Sequence, residues 1–157
     1  MGGKSGNILC LDLSLSCTGV AIFDKNQNVI FTDTIPTDSK DEYAYRLKII
    51  ADKIDYLATR YPPSVVVIER GFSRYHLSSE ALWRVQGVAI LMLWEYKQIF
   101  YSPSTVKKCL TGRGNSSKDE VKGAVLKIYP NLKIETNDIS DAIGLGITYF
   151  RKGDSDE

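Results

Sequence analysis

Residues Val65-Val66-Val67-Ile68 form a short run with no polar position and three β-branched valines in succession. Such a run fits a strand covered on both faces, because a strand with one wet face would alternate. The run closes on Glu69, and a carboxylate there loses much of its hydration, which is costly unless a cation compensates. Asp12 closes the apolar run Ile8-Leu9-Cys10-Leu11 in the same way, and Asp138 and Asp141 stand three apart where a helical stretch from Asn137 to Phe150 begins. Several such groups converging make a hard, oxygen-lined site of the kind Mg²⁺ prefers. The pattern points to metal-dependent phosphoryl chemistry.

The remaining elements supply what such a strand needs. Ile8 to Leu13, Gly19 to Phe23 and Val29 to Thr34 read as three strands of an antiparallel meander, with a polar turn at 24–28. Ser39 and Glu42 have the S-x-x-E spacing of a capping box, which would open a helix buried through Leu47, Ile50, Ala51, Ile54, Leu57 and Ala58. Pro62-Pro63 ends it. After the loop Arg70 to His76, a helix is expected over 78–97, then a strand at Ile99 to Tyr101. Ser102-Pro103 would cap a small helix through Leu110, and Gly112 to Asn115 would be a mobile loop. Ser117 and Glu120 form a second capping box. The fold class is therefore α/β: a mixed five-stranded sheet, antiparallel meander plus parallel strands, flanked by helices. One domain is expected over 7–151, with flexible termini at 1–6 and 152–157.

Charge is uneven along the 157 residues. Net charge is +1, yet residues 70–127 carry 10 basic and 4 acidic side chains, whereas 1–69 carry 7 and 9. A basic middle flanked by the acids suits a polyanion docking beside a metal site, although solvated helix faces would give the same count. No segment approaches the ~20 apolar residues of a membrane span. Cys10, Cys17 and Cys109 form no C-x-x-C, so zinc is not expected, and their odd number fits reduced thiols and a cytoplasmic location. The helix expected at 78–97 is apolar over more than one stripe, as in a central helix or one shared between two copies; a homodimer is the preferred reading.

Asp138 and Asp141 at i and i+3 point to one side of their helix, and the macrodipole favours their charge. The alternative, that Asn137 or Asp138 is only the N-cap, stays open. One histidine, His76, and no Ser-His-Asp arrangement leave nucleophilic protein catalysis without a candidate. Two-metal sites use such carboxylates to activate water and stabilise a leaving oxygen.

The segment Asp12-Leu-Ser-Leu-Ser-Cys-Thr-Gly-Val-Ala21 resembles the first strand and turn of RuvC-type Holliday junction resolvases, in the RNase H-like superfamily. Ile68-Glu69-Arg-Gly-Phe72 resembles their second acidic motif, Gln86-Gly-Val-Ala89 their central helix, and Val106-Lys107 with Gly112-x-Gly114 and Lys118 their basic loop. Asp138-x-x-Asp141-Ala142 is similar to their terminal acid pair. The resemblance covers about 7–150, with every motif in order. It implies an RNase H-like fold and a homodimeric endonuclease that nicks four-way and other DNA branches, leaving 5′-phosphate ends. It also implies two Mg²⁺ ions per site, with Mn²⁺ substituting. By position, Asp12 would bridge the ions, Glu69 would hold one, and Asp138 and Asp141 the other. Lys107 and Lys118 would contact the scissile backbone, and Phe72 would stack near the junction centre unless it folds onto the core. Arg70, Arg74, Lys108, Arg113 and Lys122 would add phosphate contacts, which supply affinity and little sequence information. The short tail and charged loop after Glu69 look more like phage-encoded members, which would act in a host cytoplasm.

Two other readings compete. The stretch from Asp12 to Phe23 also resembles the phosphate hairpin of actin-like ATPases and sugar kinases, but 157 residues leave no room for their second domain, and no Walker motif is present. A non-catalytic dimer that binds branched DNA would keep the basic surface without needing four acids.

Overall fold

The structure is a computed structural model and describes residues 6–71 and 76–153. Its elements run β1 (Asn7–Asp12), β2 (Cys17–Phe23), β3 (Val29–Pro36), α1 (Tyr43–Arg60), β4 (Pro63–Glu69), α2 (His76–Met92), β5 (Lys97–Tyr101), α3 (Pro103–Thr111), α4 (Lys118–Ile128) and α5 (Asn137–Lys152). The strands form one sheet in the order β3-β2-β1-β4-β5. β1 pairs antiparallel with β2 and parallel with β4, so the expected mixed sheet is present.

Strand periodicity divides the core in two. Ile8, Cys10, Ala21, Phe23, Val65, Val67, Ile99 and Tyr101 face α3, α4 and α5. Leu9, Leu11, Val20, Ile22, Val66 and Ile68 face α1 and α2. Both sides of β4 are thus covered, which accounts for its unbroken run of valines. Cys10 is fully buried as a small core residue, and burial pushes its thiol pKa up. Cys17 and Cys109 are free thiols, partly exposed.

α5 is the helix laid closest on the sheet, and two glycines set that closeness. A Cβ at Gly146 would run into the Phe23 ring, and one at Gly19 would run into the backbone carbonyl of Asp138. β2 therefore carries the start of α5 at backbone contact distance. No helix among the described residues is long and apolar enough to cross a membrane.

Several boundaries differ from expectation. Ser39 does not cap α1; Glu42 is its N-cap and makes no side-chain cap bond. Asp38 competes successfully for this stretch, its carboxylate accepting from the Lys40 amide at 2.9 Å and its carbonyl from the Asp41 amide at 3.2 Å. α2 stops at Met92 rather than 97, and β5 starts two residues early. The Gln98 side chain causes this by donating to the carbonyls of Ile90 (3.1 Å) and Leu93 (2.9 Å), which closes the last turn of α2 from the next strand. At the C-terminus, Lys152 belongs to α5 rather than to a tail. The loop at 112–115 is tied rather than loose: Ser116 Oγ and Thr111 Oγ1 both donate to the Arg113 carbonyl, at 3.0 and 3.1 Å. The second capping box forms as expected, Ser117 accepting from the Glu120 amide and Glu120 from the Ser117 amide.

Candidate active site

Strand register puts the first two acids side by side. Leu11 pairs with Ile68, so Asp12 and Glu69 end adjacent parallel strands. Asp12 continues the Ile8-Cys10 series and Glu69 the Val65-Val67 series, so both carboxylates point to the α5 side. β5 pairs Tyr101 with Glu69, and the chain then turns at Ser102 into α3. Ser102 Oγ caps that helix by accepting from the Thr105 amide at 3.2 Å, with Pro103 in its first turn. Lys107 is thereby held over the ends of β1 and β4.

α5 contributes the other two acids. Thr136, not Asn137 or Asp138, is its N-cap, its hydroxyl accepting from the Ile139 amide at 3.3 Å. With capping assigned elsewhere, Asp138 and Asp141 are free to face the sheet. One cavity of ≈ 310 Å³ is lined by Asp12, Ser14, Glu69, Pro103, Val106, Lys107, Lys118, Val121, Asp138 and Asp141. All four acids picked out from the sequence meet there, with two of the lysines.

Their electrostatics follow from this proximity. Burial raises the Asp12 carboxyl well above its usual range, and the negative fields of Glu69, Asp141 and Asp138 add to it against Lys118. Burial and Asp141 push Glu69 up to about 7, opposed by Lys107 and Lys118. Asp141 is raised chiefly by burial. Asp12, Glu69 and Asp141, crowded together in this cavity, bind protons too tightly for lack of positive charge. Among the described residues, no three His, Cys, Asp or Glu side chains already stand as a closed ligand cage. The four carboxylates line one cavity without converging on one point. An all-oxygen, hard, charge-deficient donor set of this kind fits a divalent Mg²⁺-class ion and not zinc.

Neighbouring residues hold the acids. Gln86 Nε2 donates to the Glu69 carbonyl at 3.0 Å, and the Arg70 amide donates to the Tyr101 carbonyl at 2.7 Å. Thr18 is fully buried and closes the turn after Asp12, its hydroxyl donating to the Ser14 carbonyl (2.9 Å) and accepting from the Ser14 amide (3.1 Å). The Cys17 thiol lies beside the Asp138 carboxylate, and burial followed by that negative charge raises its pKa. Ser14, Thr18, Gly19 and Cys17 were not singled out as site residues from the sequence. Gly19 and Thr18 lie inside the motif at 12–21, but only the fold reveals what they touch.

The other basic residues lie outside the cavity. Lys108 and Arg70 are exposed, and Lys122 is half-buried on α4. Arg113 is ion-paired with Glu120 of the capping box and so is tied to the start of α4. Phe72 and Arg74 lie outside the described residues.

The family model for "Crossover junction endodeoxyribonuclease RuvC" matches residues 8–149. The RuvC of Wolbachia pipientis wMel is 34% identical over 154 residues, covering 93% of this chain and 95% of its own length. Thermus thermophilus RuvC superposes with a TM-score of 0.81 at 19% identity, over 94% of this chain and 96% of that one. The same protein in complex with a Holliday junction substrate superposes at 0.82, with the same coverage. With the RNase H-like sheet and the ordered acid motifs already described, this chain belongs to the RuvC family of crossover junction endodeoxyribonucleases.

Proposed function

We propose that this chain is a metal-dependent endonuclease that resolves four-way DNA junctions and also nicks three-way and fork structures. The single observation that carries the reading is the cavity in which Asp12, Glu69, Asp138 and Asp141 meet Lys107 and Lys118 at the end of the sheet. Asp12, Glu69, Asp138 and Asp141 would hold two Mg²⁺ ions, for which Mn²⁺ would substitute. When bound, the ions activate the attacking water and stabilise the leaving oxygen.

The chain's own residues do the rest. Lys107 and Lys118 attract the scissile phosphate and orient it towards the carboxylates. Arg70, Lys108, Arg113, Lys122 and, beyond the described residues, Arg74 bind flanking phosphates, while Phe72 stacks near the junction centre. Arg113 does so by sharing its guanidinium between DNA and Glu120. Cutting leaves a 5′-phosphate. Branch selectivity follows from two active sites at fixed separation in a homodimer. Support for the dimer comes from an exposed apolar stripe, with Trp83, Ile90, Leu91 and Trp94 following helical spacing along α2 and the turn after it. The functional unit is the single domain 7–151, acting in the cytoplasm. The charged loop after Glu69 supports the phage-encoded variety.

The test incubates the protein with end-labelled four-way, three-way and linear duplex DNA, with Mg²⁺ or with chelator. Nicking of branched DNA only with Mg²⁺ is expected. Binding to the branches with no nicking in either condition would favour the non-catalytic branched-DNA-binding dimer instead.

A further inference from the structure

A second cavity lies directly beside the carboxylate pocket, and the two share Ser14 as their common wall. It has a volume of ≈ 350 Å³ and is lined by Leu13, Ser14, Leu15, Ser16, Arg46, Ala81 and Leu82. That volume falls within the roughly 300–1,000 Å³ of small-molecule sites. The carboxylate pocket opens on the α5 side of the sheet. This one opens on the α1 and α2 side, past the end of β1. Ser14 is the ridge between them.

Its chemistry is specific. Leu13, Leu15, Ala81 and Leu82 form apolar walls, and the Ser14 and Ser16 hydroxyls, 3.1 Å apart, supply hydrogen-bonding groups at the ridge. Arg46 is half-buried, and its Nε donates to Thr37 Oγ1 at 2.9 Å. Thr37 in turn braces the loop, its hydroxyl donating to the Leu15 carbonyl and its amide to the Ser16 carbonyl at 3.0 Å. This fixes the guanidinium at the cavity, while among the described residues no carboxylate pairs with it. A positioned guanidinium with free N–H groups at the mouth of an apolar slot suits a phosphate attached to a flat apolar body. A nucleotide is such a body.

We propose that this cavity takes one unstacked nucleobase of the cleaved strand, from a nucleotide flanking the scissile phosphate, with Arg46 holding that nucleotide's own phosphate. The strand crosses the Ser14 ridge, so the scissile phosphate lies over the carboxylates while the neighbouring base leaves the stack. Unpaired or weakly stacked bases at a branch pay least to enter, and the cavity thereby adds selectivity for branch points. The inference rests on the nuclease reading above.

The experiment places a single abasic nucleotide at successive positions around the scissile phosphate of an otherwise cleavable four-way junction. The unaltered chain should nick one of these junctions about tenfold more slowly, the worth of one well-buried apolar contact. Ala81→Leu, which fills the slot, and Arg46→Gln should slow nicking of the intact junction, and neither loss should add fully to the abasic loss at that position. Equal nicking at every abasic position, or penalties that add in full for both variants, would overturn the base-binding inference while leaving the nuclease reading intact. Failure of the unaltered chain to nick the intact junction would overturn both.

Discussion

Two regions of this molecule break the burial rule in opposite directions. At the end of β1 and β4, charged carboxylates are taken out of water. Along the outer face of α2 and the turn after it, Leu91 and Trp94 are left 70% and 72% exposed. The first region costs stability that a bound cation would recover, and the second leaves apolar area that the proposed dimer would bury. Among the described residues neither is fully compensated: Lys107 and Lys118 offset the acids only in part. The residues between them, the two core layers on the sheet, obey every ordinary rule of packing. Departures from self-sufficiency mark where this protein meets something else.

The contrast can be broken most sharply at the acid end. Asp141→Asn should lower nicking of a labelled four-way junction about a thousandfold, several kcal/mol of transition-state stabilisation, with junction binding retained. Retained cutting would remove Asp141 from the machinery. At the apolar end, Leu91→Glu with Trp94→Glu should weaken self-association at least about a hundredfold, as loss of a buried anchor does. Sedimentation across a concentration series would read this, and an unchanged association constant would leave the stripe without a role.

A third change probes how the acid end is built. Gly19→Ala sets a Cβ against the Asp138 carbonyl, which belongs to the backbone and cannot swing aside. The start of α5 must move, at a cost of about 1–3 kcal/mol in unfolding free energy, and Mg²⁺ dependence should shift to higher concentration. Unchanged stability and unchanged Mg²⁺ dependence would mean that this contact does not set the position of Asp138.

The smallest effect concerns pH. Burial and Asp141 raise the Glu69 pKa from 4.5 to about 7, and burial raises those of Asp12 and Asp141. An acid that binds its proton more tightly when folded makes stability fall as pH rises between the two values. The metal-free protein should therefore lose stability between pH 4.5 and about 7. Asp12→Asn should raise the metal-free Tm at pH 8 by roughly 3 °C, about 1 kcal/mol, and leave it almost unchanged at pH 4. Added Mg²⁺ should stabilise the unaltered chain more than the variant. Identical melting curves in all conditions would contradict the charge-deficient site.

Much of this was legible in the sequence because it depends on local pattern. The valine run at 65–68 read as doubly covered, and the carboxylates closing two apolar runs read as neighbours. The Ser117–Glu120 box read as a helix start. What escaped depends on particular side-chain hydrogen bonds, and on contacts between distant segments, that no periodic pattern encodes. The Gln98 amide, six residues past Met92, decides where α2 ends. Asp38 outcompetes Ser39 in a turn whose hydrogen bonds the S-x-x-E spacing does not encode. Cys17 beside Asp138, and Ser14 between two cavities, become visible only when β2 and α5 are packed together.

Anomalous diffraction from crystals soaked in Mn²⁺ tests the central claim most directly. Strong peaks within coordination distance of Asp12, Glu69, Asp138 and Asp141, absent from crystals of Asp12→Asn, are the expected result. A fully soaked crystal with no peak among these four carboxylates would contradict the assignment.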